Sequence, residues 1–164
     1  MQSKIYVSDT TAITNLAAIG RLDLMRSILG QVVIPREVYR ELTRYGDRIP
    51  GAIETKTSNW IVVRDVRRRD LVASLIPPLD LGEAEAIALA LEMKASVLVI
   101  DESAGRQAAK GLGLRIVGLV GLLIEAKRRQ LIPFVAPLLD QLKRDAGFRL
   151  NPSLVAEVLT EVNE

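Results

Sequence analysis

Neither cysteine nor histidine occurs anywhere in the 164 residues. Without cysteine there is no disulfide framework, no thiol nucleophile and no thiolate metal site. Without histidine there is no Ser-His-Asp triad, no imidazole general base and no usual zinc site. Any metal must be held by oxygen, which suits Mg²⁺ or Mn²⁺ and makes acidic clusters the metal chemistry to look for. Aromatic residues are sparse, with one Trp, two Phe and three Tyr, so a base-stacking platform of the single-strand-binding kind is poorly supported. Long apolar runs are missing too. Arg115 and Glu125 bracket the longest candidate, which falls short of the ~20 residues a bilayer span needs. The first apolar run is cut by Asp9, with no small-residue cleavage pattern after it. The expectation is a cytoplasmic protein with no membrane segment.

What is present fits a folded domain. Hydrophobic residues make up 49% and charged residues 26%, too apolar for a disordered chain. The length suits one domain, residues 1–164, with a core over about 1–130 and helices over about 131–164. The net charge of +2 permits a polyanionic partner without arguing for one. Two basic clusters, Arg64 with Arg67, Arg68 and Arg69, and Lys127-Arg128-Arg129, either line a phosphate backbone or are solvated helix ends and loops.

Periodicity and punctuation predict strands over residues 4–8, 31–34, 60–63, 97–100 and 114–117, separated by helices over 11–19, 22–29, 35–42, 69–76, 81–93 and 104–111. A loop over 45–59 carries a helical turn near 53–57. Three further helices follow over 119–129, 134–143 and 153–162, the last capped by Asn151 with Pro152 at its first position. Alternating strands and helices imply an α/β fold, with a mostly parallel sheet of four to five strands between helical layers and a helical C-terminal extension.

Four acids stand out, and each has a plain explanation. Asp9 and Asp101 directly precede helices and can serve as N-caps, Asp80-Leu81-Gly82-Glu83 has the form of a capping box, and Glu41 can be a solvated helix position. Together they suggest more, because ligand sites in open α/β sheets form beyond the carboxyl ends of strands, where Asp9 and Asp101 both fall. Glu83 lies in the first turn of a helix that starts at that end, and Glu41 lies about two turns into another. Carboxylates gathered this way repel one another unless something positive intervenes. No Lys or Arg is adjacent in sequence to Asp9, Glu83 or Asp101, so a divalent cation is the natural compensation.

Val-Ser-Asp9-Thr-Thr, Ile-Pro-Arg-Glu-Val-Tyr-Arg-Glu41-Leu, Leu-Gly-Glu83-Ala-Glu-Ala-Ile-Ala and Val-Leu-Val-Ile-Asp101-Glu-Ser resemble, in order, the motifs of PIN-domain proteins, and more closely the VapC-like branch found beside small antitoxin genes. The resemblance implies a three-layer α/β/α fold and a Mg²⁺- or Mn²⁺-dependent endoribonuclease, the toxin of a toxin-antitoxin pair. It implies catalytic residues Asp9, Glu41, Glu83 and Asp101, with Asp9, Glu83 and Asp101 holding metal. It further implies an RNA substrate, a small antitoxin partner and a homodimer. Glu85 competes with Glu83, which is preferred because it lies nearer the helix start. Many relatives carry a further acid shortly after the last Asp, whereas Glu102 and Ser103 follow here. Thr10 either contacts Asp9 or a substrate phosphate, or satisfies the helix start. Two other readings stand beside this one: a catalytically silent PIN-like binding or assembly module, and a Mg²⁺-binding phospho-receiver. The receiver would need a lysine after a late strand, where Val117-Gly118 stands.

Overall fold

A computed structural model describes residues 3–164, so the first two positions of the expected domain lie outside it. The chain runs β1 (Tyr6–Ser8), α1 (Thr10–Ala18), α2 (Asp23–Leu29), β2 (Val32–Pro35), α3 (Arg36–Thr43), α4 (Ala52–Thr57), β3 (Ile61–Arg64) and α5 (Arg69–Leu75). It continues α6 (Leu81–Glu92), β4 (Val97–Val99), α7 (Ser103–Gly111), β5 (Ile116–Val117), α8 (Leu119–Arg128), α9 (Ala136–Asp145) and α10 (Pro152–Glu161).

The strands form one sheet in the order β3-β2-β1-β4-β5, and every neighbouring pair is parallel. Because the chain moves outward from β1 to β3 and then crosses back to β4, the strand order reverses between β1 and β4. That reversal opens the crevice in which doubly wound sheets place ligands.

Alternation along the strands sends side chains into two apolar layers. Val32, Ile34 and Val99 face a layer built by α1, α2, α3 and α8, whereas Val7, Val33, Leu98 and Ile100 face α5, α6 and α7. Period-two alternation with both faces apolar is what a parallel sheet covered by helices on each side requires. Ile13 and Leu16 of α1 are fully buried, and each such side chain contributes about 1.5–3 kcal/mol relative to exposure. Helix α6 is buried without interruption from Gly82 to Ala90, and its small alanines let it lie close over β1 and β2.

Boundaries follow local chemistry. Gly30 ends α2 with φ 73°, a conformation glycine adopts without steric cost. Asn151 caps α10 by accepting from the Ser153 amide at 2.8 Å. Pro35, expected at the first helical position, is instead the last residue of β2 and the N-cap of α3, with extended backbone. The C-terminal helices do not stand apart from the core. Helix α9 packs on α1, and Leu138, Leu139, Leu142, Val158 and Val162 share a cluster with Ile13 and Leu16.

Candidate functional site

Parallel pairing places the residues after β1 and β4 side by side. Val7 is in register with Leu98 and Ser8 with Val99, and the Asp9 amide donates to the Val99 carbonyl at 3.0 Å. Asp9 and Asp101 thus leave the carboxyl ends of adjacent strands on the two sides of the switch point. Asp9 occupies the N-cap position of α1, yet its side chain makes no capping hydrogen bond. It is buried, with 5% of its surface exposed. Burial above all, opposed by the Thr10 backbone hydrogen bond and aided by the charges of Glu41, Glu83 and Asp80, raises its carboxyl from 3.8 to about 7.

Glu83 belongs to the capping box anticipated from sequence. Its amide donates to Asp80 Oδ1 at 2.8 Å, and its Oε2 accepts from the Asp80 amide at 3.2 Å. The cap commits one oxygen and fixes the side chain at the N-terminal end of α6, leaving Oε1 without a hydrogen-bond partner among the described residues. Burial raises its pKa, as do Asp80, Glu102 and Glu41.

Glu41 reaches the same place from α3. The Thr10 hydroxyl donates to its Oε2, so the hydroxyl serves Glu41 while the Thr10 backbone acts on Asp9. The Glu41 carboxylate packs flat against Gly82, where a Cβ would lie 3.0 Å from its Cδ. Burial raises the Glu41 pKa, the Thr10 hydroxyl lowers it, and Asp80 and Glu37 raise it. Gly82→Ala therefore separates position from stability. Alanine favours the helix by about 1 kcal/mol, and the side-chain end that must move is that of half-buried Glu41. We expect an unfolding midpoint no lower than that of wild type by calorimetry, with any activity that depends on the acidic group about ten- to hundredfold weaker because Glu41 is displaced. A lowered midpoint with full activity would contradict this.

Asp101 does not cap the helix that follows it, since Glu102 holds that position. Its Oδ1 instead accepts from the Leu119 amide at the start of α8, at 3.0 Å. Its Oδ2 is buried with no hydrogen-bond partner. Burial raises the Asp101 pKa, against the lowering effects of the Leu119 amide and Arg106. Arg106, five residues further along, is thus a cation beside the site that adjacency in sequence did not suggest.

Sequence reasoning also passed over Asp80 and Glu102 as members of the cluster. Asp80 acts on Asp9, Glu41 and Glu83, and Glu102 raises both Glu83 and Asp101. In sequence Asp80 reads as a cap, and Glu102 reads as a departure from the further acid that many relatives carry shortly after the last Asp.

Glu85 points away from this group. Its Oε1 accepts from the Glu37 amide at 3.0 Å, and its Oε2 pairs with Arg69 at 2.9 Å. The basic clusters seen in sequence are largely engaged as well: Arg68 with Asp70, Arg69 with Glu85, Lys127 with Glu164, and Arg128 and Arg129 with Glu125.

The donor set suits a hard divalent cation. It is oxygen only, it repels itself, and it includes a buried carboxylate oxygen left without a partner. Glu41 and Glu83 both raise Asp9, and Glu41 raises Glu83, while Asp101 stands across the switch point and shares with Glu83 the influence of Glu102. Among the described residues, no three acidic side chains converge tightly enough to hold an ion between them. None of the described helices is long and apolar enough to cross a membrane.

Comparison with known proteins agrees with this architecture. A PilT N-terminus domain protein, SSO1118, from the hyperthermophilic archaeon Sulfolobus solfataricus P2 superposes with a TM-score of 0.57 at 22% identity. The match covers 74% of this chain and 92% of that one, and it shows a shared fold. No match is found among curated proteins. The family described as PIN domain matches residues 5–164, nearly the whole chain, and the protein belongs to the PIN-domain family.

Proposed function

We propose that the protein is a divalent-metal-dependent endoribonuclease that hydrolyses RNA phosphodiester bonds, acting as the toxin of a toxin-antitoxin pair. The observation that carries the reading is the acidic group at the carboxyl edge of the sheet, in which Asp9 and Glu83 are buried, Asp101 Oδ2 has no partner and the Asp9 carboxyl is raised to about 7. Asp9, Glu83 and Asp101 would hold Mg²⁺ or Mn²⁺, directly or through water, with Glu41 as an outer ligand or orienting the water. A cation bound there supplies Lewis-acid polarisation of the phosphodiester and acidifies the attacking water. The protein's own part is to aim the acids. The Leu119 amide fixes Asp101, the capping box fixes Glu83, and the Thr10 hydroxyl fixes Glu41.

Metal removal tests the reading. RNA cleavage is expected to vanish in EDTA and return on adding Mn²⁺, with Mn²⁺ also raising the unfolding midpoint of the wild type. Cleavage that persists in EDTA would sink the assignment. The toxin role rests on the resemblance of the four motifs. Its test is growth arrest on expression, relieved by a small protein encoded beside it.

That no three acids converge tightly among the described residues favours a second reading, a PIN-like module that binds or assembles without catalysis. In that case Mn²⁺ would leave the midpoint unmoved.

A further inference from the structure

Beside the acidic group lies a cavity of about 510 Å³, within the range of about 300–1,000 Å³ typical of ligand sites. Asp101 and Arg106 line part of it, β5 and α8 supply an apolar wall that includes Val120, Phe148 and Arg149 come from the segment joining α9 to α10, and α10 adds apolar side chains and the carboxylate of Glu161. Two features mark it as more than a gap in packing. First, it shares Asp101 with the acidic group, so anything seated in it lies beside a candidate metal ligand. Second, Arg106 and Arg149 line it, and neither forms an ion pair among the described residues. Arg106 is nevertheless held in place, since its Nη1 donates to the Ile100 carbonyl at 3.0 Å. Gly118 makes that placement possible, because a Cβ there would lie 2.8 Å from Asp101 Oδ1 and 2.9 Å from Arg106 Nη1.

We propose that this cavity is a subsite for one unpaired RNA nucleotide adjoining the scissile bond, its base against the Val120 and Phe148 wall and its phosphate paired with Arg106 and Arg149. The inference rests on the ribonuclease reading. A single-stranded nucleotide supplies in one unit what the cavity asks for, a flat apolar face and an adjacent anion. An apolar peptide would satisfy the wall and leave both guanidinium groups without an anion. A base held in a duplex could not turn out of its stack into the cavity without unpairing.

The test measures binding apart from cleavage. Asp9→Asn protein in Mg²⁺ is titrated into a labelled single-stranded RNA oligonucleotide and followed by fluorescence anisotropy over a range of salt. Adding Val120→Phe, which fills the cavity, should weaken binding about tenfold with the salt slope unchanged. Adding Arg149→Gln should weaken it and lower the salt slope by about 1. Lys110→Gln, an exposed charge on α7, should change neither. Calorimetry of each variant checks that it folds.

RNA affinity unchanged in both cavity variants would overturn the proposal. Unchanged affinity with loss of anilinonaphthalene sulfonate fluorescence in Val120→Phe would overturn it in favour of a peptide groove. Cleavage of bis(p-nitrophenyl) phosphate by the wild type with Mn²⁺ tests the nuclease reading separately. Cavity-dependent RNA binding by a protein that never cleaves this diester would retain the subsite and remove the nuclease. Active protein with cavity-independent binding would do the reverse.

Discussion

Replacing Asp9 with Asn is expected, on the proposed ribonuclease function, to abolish metal-dependent RNA cleavage, by about a thousandfold or more, while making the metal-free protein harder to unfold at pH 8. Both effects come from one cause. Asp9 is 5% exposed among Glu41, Glu83 and Asp80, and its carboxyl is raised from 3.8 to about 7. Between pH 4 and 7 the folded chain keeps a proton on Asp9 that the unfolded chain has already released. The unfolded state then binds fewer protons, so stability falls as pH rises through this window and levels off above it. The difference from 3.8 to about 7 corresponds to about 4 kcal/mol, or about 10 °C in unfolding midpoint for a chain of this length. Asn carries no charge and escapes the penalty. Its advantage should be full at pH 8 and nearly gone at pH 4, which scanning calorimetry in EDTA would show. Glu41, Glu83 and Asp101 are raised as well, so each adds to the fall with the same sign. A midpoint for Asp9→Asn below that of wild type at pH 8 would mean that the acidic group is not under electrostatic strain.

The second large effect distinguishes Glu83 from Glu85, two acids a single residue apart. Glu83→Gln is expected to lower cleavage about a hundredfold, whereas Glu85→Gln should stay within about twofold of wild type, because Glu85 already serves Arg69 and the Glu37 amide. The same bonds make Arg69 important to stability. Its side chain is 56% exposed but that of Glu85 only 5%, so Arg69→Ala leaves a buried carboxylate with the Glu37 amide alone, at a cost of about 2 kcal/mol, between the ranges for exposed and buried pairs. Glu85→Gln retains an acceptor for the Glu37 amide and should cost about 1 kcal/mol. Urea unfolding of the two variants gives the comparison. Equal losses, or a Glu85→Gln protein that no longer cleaves, would return Glu85 to the reacting group.

The order of elements was legible because each rests on local chemistry. The β-branched runs at Val32 and Val97, the alanine-rich helix from Leu81 and the Asn151-Pro152 start of α10 all appear within a residue or two of where composition and capping place them. The capping box of Asp80 and Glu83 was equally legible, since both partners lie within one turn. Less legible were contacts made at long range. Nothing in the sequence says that Asp101 takes its amide from Leu119 instead of from its own helix. Nor does it say that the Thr10 hydroxyl serves Glu41, 31 residues away.

By itself, then, the sequence determined the alternation of strands and helices, the oxygen-only chemistry that follows from having no Cys or His, and the four motifs carrying Asp9, Glu41, Glu83 and Asp101. The tertiary structure decided which acids share a field, that Asp80 and Glu102 belong with them, that Glu85 does not, and that Arg106 stands beside Asp101. The physical reason is the range of the forces. Propensity and capping act within a turn or a strand, whereas burial and Coulombic coupling depend on distances set only when β1 and β4 pair and α3 crosses Gly82.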